Sequence, residues 1–209
     1  MHDILIRIPS LRKPLGQSVM RSALFAGLLA AAAMSGAIPL PGTPVPITLQ
    51  TFVVMLAGLM LPWREAAGSI ILYLGSGAAG LPVFAGGGSA ASFVGPSGGF
   101  LIGFLPAAVV TAIVASSLRR RTEAIGAPVA RFFALMAANL TAAISGCIIV
   151  LYALGIGVQS AVTSLSPGIV AMSTASFILV DLLKATVACA AVSGISMAAA
   201  RRNPSSAKD

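Results

Sequence analysis

The residues of this sequence best suited to chemistry are a carboxylate and an ammonium three positions apart in an apolar run. They are Asp181 and Lys184, within STASFILVDLLKATVACAAV (173–192). On a helix, i,i+3 spacing puts both on one face. A charge at the centre of a bilayer costs about 2.5–3.5 kcal/mol on insertion scales. A pair that only locked helices together could be replaced by apolar packing at little loss of stability. In a dry pocket an ammonium binds an anion and a carboxylate accepts N–H donors, each more strongly than in water. The pair therefore points to a small polar anion bound within the membrane. Thr48, Gln50, Thr51 and Asn139 are further polar residues in apolar stretches. Each can serve as an interhelical hydrogen bond or as a ligand contact. A neutral amide both donates and accepts, which suits a urea or an amide.

Other chemistries lack their residues. The single histidine, His2, stands at the N-terminus, and Cys147 and Cys189 lie in different apolar stretches without neighbouring ligands. No histidine base or His-rich metal site is available. No phosphate loop ending in Gly-Lys-Ser/Thr occurs, so ATP hydrolysis is not expected of this chain. GSGAAG (75–80) matches a dinucleotide-binding pattern, but Pro82 follows and no acid occurs before Glu123. That pattern needs a helix next and an acidic residue about 20 positions on. Small residues on a packed helix explain it better.

Elements that can hold such a pair follow from composition. Hydrophobic residues make up 57% and charged residues 9% of the 209, against roughly 25% charged in soluble domains. Apolar runs recur, so the bilayer is the solvent and the fold class is an all-α integral membrane protein. Six spans are expected, at residues 18–38, 47–61, 64–79, 98–118, 129–154 and 175–200. A basic segment (1–17) precedes the membrane domain (18–200) and a tail (201–209) follows it. The apolar run near the N-terminus is longer than that of a signal peptide and is expected to remain.

Charge orients the spans. Arg7, Arg12, Lys13, Arg21, Arg64, Arg119, Arg120, Arg121, Arg131, Arg201, Arg202 and Lys208 all fall on one side of a six-span arrangement. The connections 39–46, 80–97 and 155–174 carry no charge. By the positive-inside rule both termini are cytoplasmic. The net charge of +8 thus reflects topology, not nucleic-acid binding; no aromatic residues interleave with the basic ones. With the sixth span starting near residue 175, Asp181 lies about 9 Å along it from the outer end. The uncharged outer connections are rich in Gly, Ser and Pro, as lids over ligands often are.

PVPITLQTFVVMLAGLML, GLPVFAGG, GPSGGFLIGF and VDLLKA occur in this order between about residues 26 and 191. They resemble the signatures of BioY, the biotin-specific substrate-binding (S) component of energy-coupling factor (ECF) transporters. The resemblance implies six helices, biotin as the ligand near the outer face, and uptake across the bacterial cytoplasmic membrane. It implies that Lys184 pairs with the valerate carboxylate, that Asp181 accepts ureido N–H groups, and that Phe84, Gly86 and Gly87 belong to a lid. Thr48, Gln50 and Asn139 join this set on polarity alone. Some relatives carry a basic or amide residue after AGG where this chain has GGSAASFVG, so that contact is either missing here or supplied elsewhere, with Ser89 and Ser92 as candidates. The implied partners are a transmembrane coupling subunit (EcfT or BioN type) and ATPase subunits (EcfA or BioM type). Ala26 and Ala30, with Ala23 and Gly27, form a small-residue face suited to docking or to internal packing. Alternatives are an S component for another vitamin, an ion-coupled transporter of a small anionic metabolite using Asp181, and a structural subunit without ligand. No internal repeat supports the ion-coupled reading.

Overall fold

Alanine and glycine recur so densely along residues 98–122 that a helix formed there can be approached closely from several sides. The computed structural model, which describes residues 15–39 and 41–202, is built around that helix. The helices are α1 (Leu15–Met34), α2 (Gln50–Met60), α3 (Trp63–Ala78), α4 (Gly98–Thr122), α5 (Pro128–Thr163) and α6 (Pro167–Arg202). No strand occurs among the described residues, only two isolated bridges, one of them closing the α1–α2 connection between Ile38 and Ile47.

Local chemistry sets the boundaries. Leu61 is extended before Pro62 and separates α2 from α3, because the residue before proline avoids the helical region. Pro128 opens α5, where its missing N–H costs nothing. α5 is continuous but passes through a π-helical segment, Ile144–Val150.

α4 packs against α2, α3 and α5, α1 lies on α3, and α6 lies on α2 and α5. Ala107, Ala108, Ala112 and Ala115 of α4 are buried. A Cβ on Gly58 would sit 2.6 Å from Thr111 Cβ, and one on Gly146 would collide with Thr111 and the Ala107 carbonyl. At one end of the bundle Arg119 ties four helices together. Its Nε donates to Asn139 Oδ1 (2.7 Å), its guanidinium donates to the Leu59 carbonyl (2.6 Å), and Asn139 Nδ2 donates to Ser193 Oγ (2.9 Å). At the same end Ser18 Oγ donates to Glu65 Oε1 (2.8 Å), joining α1 to α3.

Four helices are long and apolar enough to cross a membrane: Gly16–Met34, Gly98–Thr122, Pro128–Thr163 and Pro167–Ala200. α2, with 11 residues, and α3, with 16, are shorter than the roughly 20 that a hydrocarbon core requires. Of the expected basic segment and tail, only residues 15–17 and 201–202 are described, and these are helical.

The largest departure from the sequence reading lies between the fifth and sixth spans. The expected loop 155–174 is almost all helix, and the turn is confined to residues 164–166, with Ser164 left-handed at φ 57° and Pro167 starting α6. Gly155 lies within α5, and the Phe100 ring occupies the space a Cβ would take there. Asp181 therefore lies about 21 Å along α6 from its start at 1.5 Å per residue, not 9 Å.

Gly146→Ala should destabilise the fold by about 1–3 kcal/mol, since α4 backbone blocks the added methyl. Gly126→Ala, which meets nothing within 4 Å, should leave the thermal midpoint of the detergent-purified protein within a degree or so of wild type.

Candidate functional site

The Asp181–Lys184 pair, placed on one face of α6 by its spacing, is met there by two other stretches of chain. Lys184 Nζ donates to Asp181 Oδ1 (2.8 Å), to Thr51 Oγ1 (2.9 Å) and to the Thr48 carbonyl (2.8 Å). All three ammonium protons are thereby engaged. Thr51 Oγ1 in turn donates to Asp181 Oδ1 (2.7 Å), and the Tyr152 hydroxyl donates to Asp181 Oδ2 (2.9 Å). A carboxylate has about four acceptor positions. Three are filled, and the remaining one is on Oδ2.

Both charges are largely withdrawn from solvent, with side chains 11% and 6% exposed for Lys184 and Asp181. They sit in the wall of a cavity of about 420 Å³, within the 300–1,000 Å³ typical of small-molecule sites. Its polar wall comprises the pair with Thr48, Gln50, Thr51 and Tyr152; its apolar wall includes Phe84, Phe100, Phe104 and Phe177. Among the described residues Lys184 is the only basic one in the lining. Among the described residues no group of His, Cys, Asp and Glu could hold a metal ion.

The cover of the cavity is fixed through Gln50 and Phe84. Thr48 Oγ1 donates to Gln50 Oε1 (3.0 Å), Gln50 Nε2 donates to the Tyr73 hydroxyl, and that hydroxyl donates to the Val83 carbonyl (3.2 Å). Phe84, 1% exposed, stands edge-on to Tyr73 and Phe93, with ring centroids 5.2 and 5.4 Å away. Gly77 makes room for it, since a Cβ there would meet the Phe84 ring. The chain reverses directly after Phe84: its N–H donates to the Gly88 carbonyl (2.9 Å), with Gly86 and Gly87 at φ 68° and 78°.

The sequence-predicted residues divide clearly. Asp181, Lys184, Thr48, Gln50 and Phe84 meet at the cavity. Asn139 does not: it is buried at the Arg119 end of the bundle, hydrogen-bonded to Arg119 and Ser193. Polarity within a span was a sound signal of a buried partner, but it gave no depth. Gly86 and Gly87 do not line the cavity either; their part is the left-handed turn that aims Phe84 inward. Ser92 lines it and Ser89 does not. On α1, Ala26 and Ala30 are half-buried against the core, while Ala23 and Gly27 are exposed.

Tyr152 is the functional residue the sequence reading missed. Both tyrosines of the chain serve this site, Tyr152 at Asp181 and Tyr73 at Gln50. The available signal was that a buried tyrosine hydroxyl needs a partner.

Losing one charge should harm the fold more than losing both. Lys184→Met leaves Asp181 buried without its cation and should cost on the order of 3 kcal/mol. Asp181→Leu combined with Lys184→Met should recover most of that loss, as read from thermal midpoints in detergent.

The arrangement can bind a small, largely apolar molecule that carries adjacent hydrogen-bond donors and acceptors. Comparison with known proteins points the same way. Residues 9–201 match the model of the BioY family. A biotin transporter BioY of Rhodobacter capsulatus is 50% identical over 135 residues, which cover 64% of each chain. One of Rhizobium etli is 35% identical over 173 residues, covering 82% of this chain and 89% of that one. The crystal structure of an S-component for biotin from an ECF-type ABC transporter superposes with a TM-score of 0.77 at 25% identity. That match covers 88% of this chain and 95% of the other.

Proposed function

The chain belongs to the BioY family, and on that footing we propose that it binds biotin for uptake as the substrate-specificity subunit of an ECF-type transporter. It is a substrate-binding subunit, not an enzyme. The observation that carries the reading is the buried Asp181–Lys184 unit in the wall of a cavity of about 420 Å³.

The sequence reading gave each charge one end of biotin. With Nζ and Oδ1 only 2.8 Å apart, the pair forms one compact unit, and its chemistry suits the ureido ring. A ureido N–H donates to the remaining acceptor position on Asp181 Oδ2, and the urea carbonyl accepts from Lys184 once the ammonium exchanges its bond to Thr51 Oγ1 for it. A neutral urea leaves the site neutral. The valerate carboxylate there would stand against Asp181 with one cation for two anions, which raises the energy of both. The thiophane ring and aliphatic chain then take the phenylalanine-lined wall, and Phe84 with Ser92 closes over the ligand.

We further propose six membrane crossings with both termini cytoplasmic in a bacterial cytoplasmic membrane. The basic residues on one side and the uncharged connections on the other support it. α2 and α3 cross within the bundle, where neighbouring helices relax the length requirement. In this arrangement the basic segment 1–17 and the tail 201–209 flank the membrane domain on the cytoplasmic side. ATP is used by partner ATPases of EcfA or BioM type, through a coupling subunit of EcfT or BioN type. That subunit docks on the exposed Ala23–Gly27 edge of α1, with Ala26 and Ala30 beside it.

Biotin binding to the purified chain tests the function, with riboflavin and thiamine as competitors that should fail to displace it; absence of biotin binding would overturn the reading. Biotin amide separates the two ligand ends. Its penalty relative to biotin should be the same in wild type and Lys184→Ala, whereas a penalty that shrinks in the variant would return the carboxylate to Lys184. For docking, Ala23→Leu with Gly27→Leu should abolish copurification of the coupling subunit and leave biotin affinity unchanged.

A further inference from the structure

Asp181 Oδ1 is held by Lys184 and Thr51, but only the Tyr152 hydroxyl holds Oδ2. We propose that Tyr152 is the positioning residue that sets the plane of the Asp181 carboxylate and keeps one acceptor position of Oδ2 aimed into the cavity. The inference rests on the ureido reading of the site and names the residue on which its selectivity depends.

The path of α5 supports this role. Tyr152 follows the π-helical segment Ile144–Val150 by two residues. Such a segment takes up one extra residue, which turns everything beyond it by about 100° relative to an unbroken α-helix. Without it, Leu151 would occupy the direction that Tyr152 now takes toward α6. The segment is clamped, since Gly146 lies directly on Ala107 and Thr111 of α4, and the Thr111 hydroxyl is 3.6 Å from Cys147 Sγ. Beyond it, Phe100 meets the Tyr152 ring edge-on at 5.8 Å, in the space left by Gly155. The ring is thus fixed from below and from the side, and its hydroxyl has one partner. The tyrosine is 5% exposed and lines the cavity.

The carboxylate then works as a two-handed acceptor. Oδ1 keeps the ammonium in place, and Oδ2 shares its lone pairs between Tyr152 and the ligand. Removing the hydroxyl frees the carboxylate to turn about its own bond and to offer Oδ2 in several directions. A hydrogen bond to a charged group contributes about 1.5–3 kcal/mol, so affinity for a ligand read at that oxygen should fall roughly tenfold or more.

Tyr152→Phe keeps the ring and its packing and tests the hydroxyl alone, in the full chain reconstituted in lipid nanodiscs. Biotin should bind at least tenfold more weakly, while the affinity ratio of biotin to its ureido-N-methylated analogue, which lacks the N–H read at Oδ2, moves toward one. The biotin to biotin amide ratio, which reads the tail, should stay at its wild-type value. Equal losses for all three ligands would make Tyr152 a packing residue only and overturn the proposal, as would unchanged affinity. An infrared measurement decides the contact without ligand. The Asp181 carboxylate band, identified by its loss in Asp181→Asn, should shift in Tyr152→Phe, and an unshifted band refutes the contact. Failure of biotin to bind wild type would reject the biotin reading, and the infrared result would still decide the role of Tyr152.

Discussion

The rest of this structure depends on keeping one ion pair satisfied away from water. A buried pair is tolerable only if its geometry is good and every remaining proton and lone pair finds a partner. α6 alone supplies the two charges and nothing else. The connection before α2 supplies the Thr48 carbonyl, the first turn of α2 supplies Thr51, and α5 supplies Tyr152. Three distant stretches of chain are therefore drawn to one point, and the cavity is the space between them.

The two ends of the bundle are closed by different means. On the side of the cavity, closure comes from an aromatic anchor: Phe84 sits between Tyr73 and Phe93 and is turned inward by a tight glycine reversal. The opposite end is joined by Arg119, which satisfies a terminal carbonyl of α2 and the side chain of Asn139 together. Between them lies a layer of small residues around α4, where Gly58 and Gly146 bring α2 and α5 close to Thr111.

Much of this was legible in the residues. Apolar runs gave the helices, and the i,i+3 pair in a span of otherwise apolar residues marked the candidate site. Where the reading failed, the missing information was rotational or axial. Asn139 is as polar as Gln50, yet they lie at opposite ends of the bundle. Gly155 reads as a breaker, yet it lies within α5, with the Phe100 ring in the space a Cβ would take. Tyr152 faces the carboxylate only because of a π turn for which the sequence has no signature.

The sequence by itself determined the apolar character of the chain, its all-helical class, and the need for buried charges to be partnered. Those properties follow from local composition and period, which act residue by residue. The tertiary structure alone decided which groups became those partners, and that the two charges form one hydrogen-bonded unit in the wall of a cavity. The physical reason is that a hydrogen bond reaches about 3 Å, and distances of that size between residues some 130 positions apart are fixed only when the helices pack.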